Sequence, residues 1–420
     1  MKKVFRIAGF LIFFIVTYLI ILHQFPMEAS RFPFLVILFL SDYYLWRSFS
    51  GWFKRQQKLP KTILFFLYWL PLILLSLSVF TRILGIKTFD NETITILIQG
   101  FIFSVYASKL IPIIFLLLAD LIKGSKLLIK KVHIKIQKQK AVQGGKPISR
   151  SRFLQQIGLA TGGIMFFGLM AGMIKWVHDF KIHPHKLRLP QLPKSFSGLR
   201  IVQISDLHLG SWTSSDMLKE AVKKINELKP DLIFFTGDLV NYKTDEVFRF
   251  EDILSTLKAK SGIFAVLGNH DYGDYSRWPT RDAKMENMRQ LYRFYDRIGW
   301  KLLKNENSIL THHDGKVAII GVENWGAIAR FPQYGDLKQA VVGADEAAVK
   351  ILLSHDPSHW DAVVNKDFQE IDLTFSGHTH GFQFGIELKN FKWSPAQFAY
   401  KQWAGLYTKY HSEKKAQFLY

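Results

Sequence analysis

Leu199-Arg200-Ile201-Val202-Gln203-Ile204-Ser205-Asp206-Leu207-His208 is an apolar, β-branched run that ends on two polar groups two positions apart. In an extended segment residues i and i+2 project to the same side, so Asp206 and His208 aim two ligand groups one way. The arrangement recurs downstream. Asp231–Thr236 precedes Gly237-Asp238, and Gly262–Leu267 precedes Gly268-Asn269-His270-Asp271. Val349–Leu353 precedes His355, and Ile371–Phe375 precedes Gly377-His378-Thr379-His380-Gly381. Ligands just past the carboxyl ends of strands converge at one sheet edge, where open α/β sheets bind ligands.

An isolated Asp or His at a strand end is ordinarily a cap or turn residue. Five such patches together supply seven oxygen and nitrogen ligands plus a spare imidazole, His270. Carboxylate, imidazole and amide oxygen suit Mn, Fe, Zn or Mg, and a carboxylate can bridge two ions. Two such ions about 3.5–4 Å apart are a known device for hydrolysing phosphate esters.

The order Asp-x-His, Gly-Asp, Gly-Asn-His-Asp, His, Gly-His-x-His resembles the calcineurin-like metallophosphoesterase superfamily. Gly377-His-Thr-His-Gly-Phe-Gln383 is similar to its bacterial membrane-associated branch, which more often has Gly where Phe382 stands. The resemblance runs from Leu199 to the C-terminus and implies a four-layer αββα sandwich. It implies that Asp206, His208 and His380 hold one divalent ion, that Asn269, His355 and His378 hold the other, and that Asp238 bridges them. It further implies that a hydroxide held between both ions attacks phosphorus. His270 would stabilise developing charge and protonate the leaving alkoxide. Asp271 would orient His270.

The remaining histidines carry no expected function. His359, four residues after His355, reads as a helix-surface residue. His312 and His313 precede the turn Asp314-Gly315 and read as solvated, and His183 and His185 flank Pro184 in a linker-like stretch.

Charge divides the chain. Residues 1–196 carry 27 Lys+Arg against 6 Asp+Glu, whereas the remainder carries 28 of each. The basic excess lies outside the catalytic half, which argues against nucleic acid as a partner and for topology determinants of a membrane region. No Cys is present, which excludes structural disulfides and thiolate metal sites.

Val4–Leu22, Thr62–Phe80, Ile94–Ile122 and Phe153–Ile174 are apolar runs long enough to cross a hydrocarbon core about 30 Å thick. Phe32–Trp46 is shorter and contains Asp42. The N-terminus, Arg47–Lys61 with five cations and Lys123–Arg152 with ten are basic, while His23–Arg31 and Thr81–Thr93 are nearly neutral. Counting Phe32–Trp46 puts every strongly basic loop on one face. The positive-inside rule then favours five spans, with the catalytic half periplasmic or extracellular. Ser149-Arg150-Ser151-Arg152-Phe153-Leu154-Gln155 resembles a twin-arginine export signal with Ser151 in place of its second Arg, or is a basic stop at a membrane border. No small-x-small cleavage site follows Ile174, so the anchor is expected to stay. Lys123–Lys146 reads as a solvated basic loop, or as an amphipathic helix on anionic lipid.

The expected domains are therefore a multi-pass transmembrane region at 1–174, a linker at 175–196 and a metallophosphoesterase domain at 197–420. In the last, helices are expected from Ser215 through Leu228 and over Glu246–Lys260, Arg281–Ile298 and Asp336–Val349, with strands at Trp300–Leu303, Ser308–Leu310 and Val317–Val322. The alternation argues for an α/β class. In relatives Ser394–Tyr407 leads into a final strand and a closing segment. Here the chain is expected to end where that strand begins, at Phe418-Leu419-Tyr420.

The resulting expectation is a membrane-anchored hydrolase using two divalent ions on a phosphorylated small molecule or lipid of the envelope. A UDP-2,3-diacylglucosamine-type pyrophosphatase of lipid A synthesis at the cytoplasmic face is the alternative. A non-catalytic phosphoesterase-like scaffold or sensor is a third reading, disfavoured because a scaffold needs no acid beside the metals.

Overall fold

The computed structural model describes residues 2–420 apart from 26–28, 30, 54–56, 85, 87, 90, 134–149, 176–178, 382–384, 389–390 and 413–414. Two compact units are present, Met1–Asp179 and Phe180–Tyr420.

The first unit is helical: α1 (Lys2–Gln24), α2 (Arg31–Phe53), α3 (Lys58–Ile83), α4 (Glu92–His133) and α5 (Arg150–Ile174). Its burial pattern inverts that of a water-soluble core. Phe66, Leu121, Ile164 and Phe167 are exposed, while Asp42, Ser104 and Ser108 are buried. Such a surface suits lipid, where polar groups must find partners inside the bundle. Among the described residues three helices are long and apolar enough to cross a membrane: Lys58–Thr81, Thr93–Ile122 and Gln156–Ile174. Ile12–Gln24 is a shorter apolar stretch. Phe32–Trp46 lies inside the 23-residue α2.

Asp42 carries a charge into the bundle, and the bundle answers it. Lys109 of α4 places its ammonium 2.6 Å from Asp42 Oδ1, and the Tyr106 hydroxyl donates to Oδ2 at 2.9 Å. Lys109 also lies over the Tyr68 ring at 4.4 Å. Two glycines of α5 permit close packing: a Cβ on Gly158 would stand 3.1 Å from Pro112 Cα, and one on Gly162 would stand 3.0 Å from the Ser108 carbonyl oxygen of α4. The stretch expected as a basic loop begins as helix, since α4 continues to His133. Residues 134–149, Ser149 included, lie outside the described residues.

The second unit is built from β1 (Ile201–Ile204), α6 (Asp216–Glu227), β2 (Leu232–Phe235), α7 (Glu251–Leu254), β3 (Ile263–Ala265), α8 (Arg281–Arg297) and β4 (Lys301–Leu302). There follow β5 (Glu306–His312), β6 (Gly315–Gly321), α9 (Leu337–Ala340), β7 (Val349–Leu353), α10 (Asn365–Asp367) and β8 (Leu373–Phe375). The chain closes with β9 (Ile386–Leu388), β10 (Phe391–Trp393), β11 (Tyr407–Ser412) and β12 (Lys415–Leu419). One large sheet has the order β1-β2-β3-β4, all parallel; a second is mixed, β11-β12-β8-β7-β6-β5; β9 and β10 form a small antiparallel pair.

Alternation along each strand assembles the layers. Leu232 and Phe234 of β2 meet Ile319, Ile351 and Phe375 of the second sheet. Ile233 and Phe235 turn outward onto Leu218 and Val222 of α6 and Leu291 and Phe294 of α8. On the far face of the second sheet, Ile320 and Leu352 pack under Leu337, Trp360 and Val364. The order is helix, sheet, sheet, helix, with one apolar core between the sheets and one on each outer face.

Four expectations need correction. The helix expected over Asp336–Val349 is the single turn α9, because Gly343 takes φ 81° and turns the chain into β7. Glu246–Lys260 is not one helix: Glu246 caps the amides of Asn241, Tyr242 and Lys243, the chain first runs as a tight 3-10 stretch, and only α7 is α-helical. The linker is no free tether, since Leu187, Leu189 and Leu192 pack against the inter-sheet core and Phe180 stacks on Trp212 at 5.9 Å. Finally, Lys415–Leu419 is itself a strand, β12, lying between β8 and β11.

Candidate metal centre

The five patches leave the ends of two sheets. Asp206 and His208 follow β1, Asp238 follows β2, and Asn269 and His270 follow β3, all in the parallel sheet. His355 follows β7 and His378 and His380 follow β8, in the mixed sheet. The convergence expected at one sheet edge thus occurs where two sheets face each other.

Asp206, His208, Asp238 and His380 bring their ligand atoms within 4.8 Å of one another, and Asp238, His355 and His378 form a second such group. Asp238 belongs to both. Its Oδ2 lies 3.5 Å from His208 Nε2 and 3.2 Å from His355 Nε2. His208 and His380 present Nε2 atoms 3.2 Å apart, and His378 Nδ1 stands 3.3 Å from His355 Nε2.

The backbone is bent to achieve this. Seven non-glycine residues among those described have positive φ, and five are the candidate ligands Asp206, His208, Asp238, His378 and His380. Each such residue costs of order 1–3 kcal/mol and persists only where its surroundings impose it. Close approach is imposed too: a Cβ on Gly268 would fall 2.2 Å from Asp238 Oδ1.

Two features show that this pocket fits a cation. Asn269 Oδ1 is buried without a hydrogen-bond partner, while its Nδ2 donates to the Tyr275 hydroxyl at 2.9 Å. A buried acceptor of that kind normally has a partner. Positive charge is also favoured at Asp238. Burial opposes its ionisation, yet the facing imidazoles of His355 and His208 hold its carboxyl below the usual range. Burial opposes protonation of His355 as well, and Asp238 outweighs it, raising the imidazole to about 10. Burial and the neighbouring His355 push His378 down to about 3, and burial lowers His208, so both favour the neutral, ligating form.

Supporting bonds fix the ring nitrogens. His355 Nδ1 bonds the Thr236 carbonyl at 2.7 Å, which leaves Nε2 toward Asp238. His270 Nδ1 bonds the Asn241 carbonyl at 2.8 Å, which leaves Nε2 as its available nitrogen. The His270 ring meets His208 edge-on at 4.8 Å, beside the first ligand group.

Asp271 does not orient His270. Its carboxylate accepts four backbone amides, those of Asp238, Leu239, Val240 and Gly268, and is fully buried. It ties the β2 and β3 loops together, and the Asn241 carbonyl holds His270 instead. His359 is not a surface residue: it is buried, with Nδ1 2.9 Å from Ser354 Oγ and its ring on Trp325. His312 and His313 are exposed, while Phe382 and Gln383 lie outside the described residues.

Sequence reasoning missed Tyr275, Asp356 and Tyr400. Asp356 directly follows His355 and could have been noticed there. Tyr400 comes 22 residues after His378, reaches its Nε2 at 2.7 Å and carries no local signal.

Residues 199–382 match the sequence profile described as calcineurin-like phosphoesterase, and residues 29–176 match that of a probable calcineurin-like phosphoesterase transmembrane domain. UDP-2,3-diacylglucosamine pyrophosphatase LpxG of Chlamydia trachomatis is 31% identical over 259 residues, covering 53% of this chain and 78% of that one. The chain belongs to the calcineurin-like phosphoesterase family. It is a membrane-associated metallophosphoesterase, a metal-dependent hydrolase of phosphoester bonds. The uncharacterized metallophosphoesterase YkuE of Bacillus subtilis is 29% identical, covering 57% of this chain and 80% of its own. A transmembrane protein with metallophosphoesterase domain from Danio rerio is 26% identical, covering 60% of this chain and 58% of its own. The transmembrane profile spans α2 through α5, with α1 preceding it.

Proposed function

We propose that this protein hydrolyses a phosphoester or pyrophosphate bond of a lipid or envelope component, using two divalent ions. The observation that carries the reading is the pair of ligand groups joined through Asp238. Asp206, His208 and His380 would hold one ion, Asn269, His355 and His378 the other, with Asp238 between them. Bound there, two Mn, Fe, Zn or Mg ions supply Lewis acidity to a phosphoryl group and acidify water. The chain's own residues do the rest. His270, held at Nδ1 by the Asn241 carbonyl, passes a proton from Nε2 to the leaving oxygen. The test is full-length protein in detergent, stripped with chelator and assayed on bis(p-nitrophenyl) phosphate and p-nitrophenyl phosphate with Mn restored. Absence of turnover with every divalent ion would remove the reading.

A second reading narrows the substrate to a pyrophosphate diester, the bond class named for LpxG. Its support here is Arg330, exposed and held by no ion pair among the described residues. The guanidinium lies 4.6 Å from the Phe331 ring, which in turn meets the His378 ring at 4.6 Å. A guanidinium beside a metal centre matches a second phosphoryl group bidentately.

The two readings place the catalytic unit differently. Five spanning helices with the basic loops inside put it outside the cytoplasm; four put it inside, where nucleotide-linked substrates are made. An alkaline phosphatase or fluorescent reporter fused after Tyr420 separates them.

A further inference from the structure

We infer that the segment Ser394–Tyr407 is part of the metal centre and that Tyr400 is a positioning residue for His378. The inference rests on the two-ion reading above. Tyr400 lies beyond residues 199–382 that match the phosphoesterase profile, in the loop after the short helix Pro395–Phe398.

His378 uses both ring nitrogens. Nδ1 faces His355 Nε2 at 3.3 Å, within the second ligand group, and Nε2 meets the Tyr400 hydroxyl at 2.7 Å. A ring that ligates through Nδ1 carries its proton on Nε2, so His378 donates to Tyr400. The Tyr400 hydroxyl in turn donates to Asp356 Oδ2 at 3.5 Å, and that carboxylate lies 3.6 Å from His378 Nε2. Asp356 is fully buried and Tyr400 nearly so. The chain imidazole, phenol, carboxylate fixes the His378 ring and makes it a better ligand, as partners behind metal-bound histidines do elsewhere.

A second bond makes the clasp. The Thr379 hydroxyl donates to the Trp403 carbonyl at 2.8 Å, so residues 400–403 grip two successive residues of the Gly377–Gly381 loop. That loop holds His378 at φ 69° and His380 at φ 57°. Left-handed backbone at two non-glycine positions needs outside support. The clasp supplies it from a segment that contributes no candidate ligand.

Tyr400→Phe keeps the ring and removes only the hydroxyl. In full-length protein the expected result is two ions still bound at saturation, with one Mn dissociation constant raised about 10–100-fold and the other unchanged. Asp356→Asn should shift the same constant in the same direction. Wild-type affinity for both ions in Tyr400→Phe overturns the inference while leaving the two-ion reading intact. Failure of the parent protein to bind a second ion overturns that reading first.

Discussion

His355 Nε2 and Asp238 Oδ2 stand 3.2 Å apart, one at the end of a strand in the mixed sheet and the other at the end of a strand in the parallel sheet. The candidate metal centre therefore lies at the seam between the layers. The same carboxylate reaches His208 on the other side, so its loss should be felt by both ligand groups. Asp238→Ala is expected to lose at least one ion and all measurable turnover. Elemental analysis of the purified variant checks this, and retention of both ions would refute the bridging role.

His270→Ala should behave differently. The ring touches His208 but belongs to neither ligand group. Turnover is expected to fall about 10²–10⁴-fold, as for loss of a proton donor, with metal content unchanged. A parallel loss of metal would reassign His270 to binding.

Arg330→Ala should discriminate between substrates. A charged hydrogen bond of about 1.5–3 kcal/mol corresponds to roughly 10–100-fold in kcat/KM. That loss is expected on a pyrophosphate diester such as UDP-N-acetylglucosamine and not on bis(p-nitrophenyl) phosphate. Equal effects on both would remove the pyrophosphate reading.

His359 predicts acid lability. Burial pushes its imidazole down to about 4, against about 6.5 for a free histidine. Between these values the unfolded chain takes up a proton that the folded chain refuses. Its contribution, about 3 kcal/mol at most, is present above pH 6.5 and lost as pH falls toward 4. Urea titrations of metal-free protein should show a shallower dependence on pH for His359→Gln across that window. An unchanged slope would exclude His359 as the source.

The Asp42–Lys109 pair is fully inside the helical unit at Asp42, and removing one partner strands a buried charge. Asp42→Ala is expected to cost about 3–5 kcal/mol, and the double change Asp42→Leu with Lys109→Met much less. Thermal unfolding in detergent reads the difference. If the double variant is as unstable as the single, the pair is not the cause.

The candidate site was legible because metal-ligating residue types are few in kind and sit at fixed offsets from apolar runs. Asp206 with His208, and His378 with His380, announce themselves by i, i+2 spacing. The succession of strands and helices along the chain likewise foretold an α/β class. What stayed hidden depends on contacts between distant segments. Asp271 looked like a partner of its neighbour His270, yet four amides from two loops claim its carboxylate. Thr244–Phe250 runs as a 3-10 stretch where periodicity foretold an α-helix, and Gly343 turns the chain where periodicity alone would have extended one. His359 read as exposed until Trp325 covered it.

The order of candidate ligands along the chain thus determined the family and its metal dependence, and the apolar runs before residue 175 determined the existence of a helical anchor, since each depends on residue type and near spacing. Only the tertiary structure decided that the candidate ligands meet between two sheets, that Asn241 rather than Asp271 holds His270, and that Tyr400 reaches His378. Those outcomes follow from which backbone groups and side chains burial leaves within reach of one another, and separation along the chain carries no record of that.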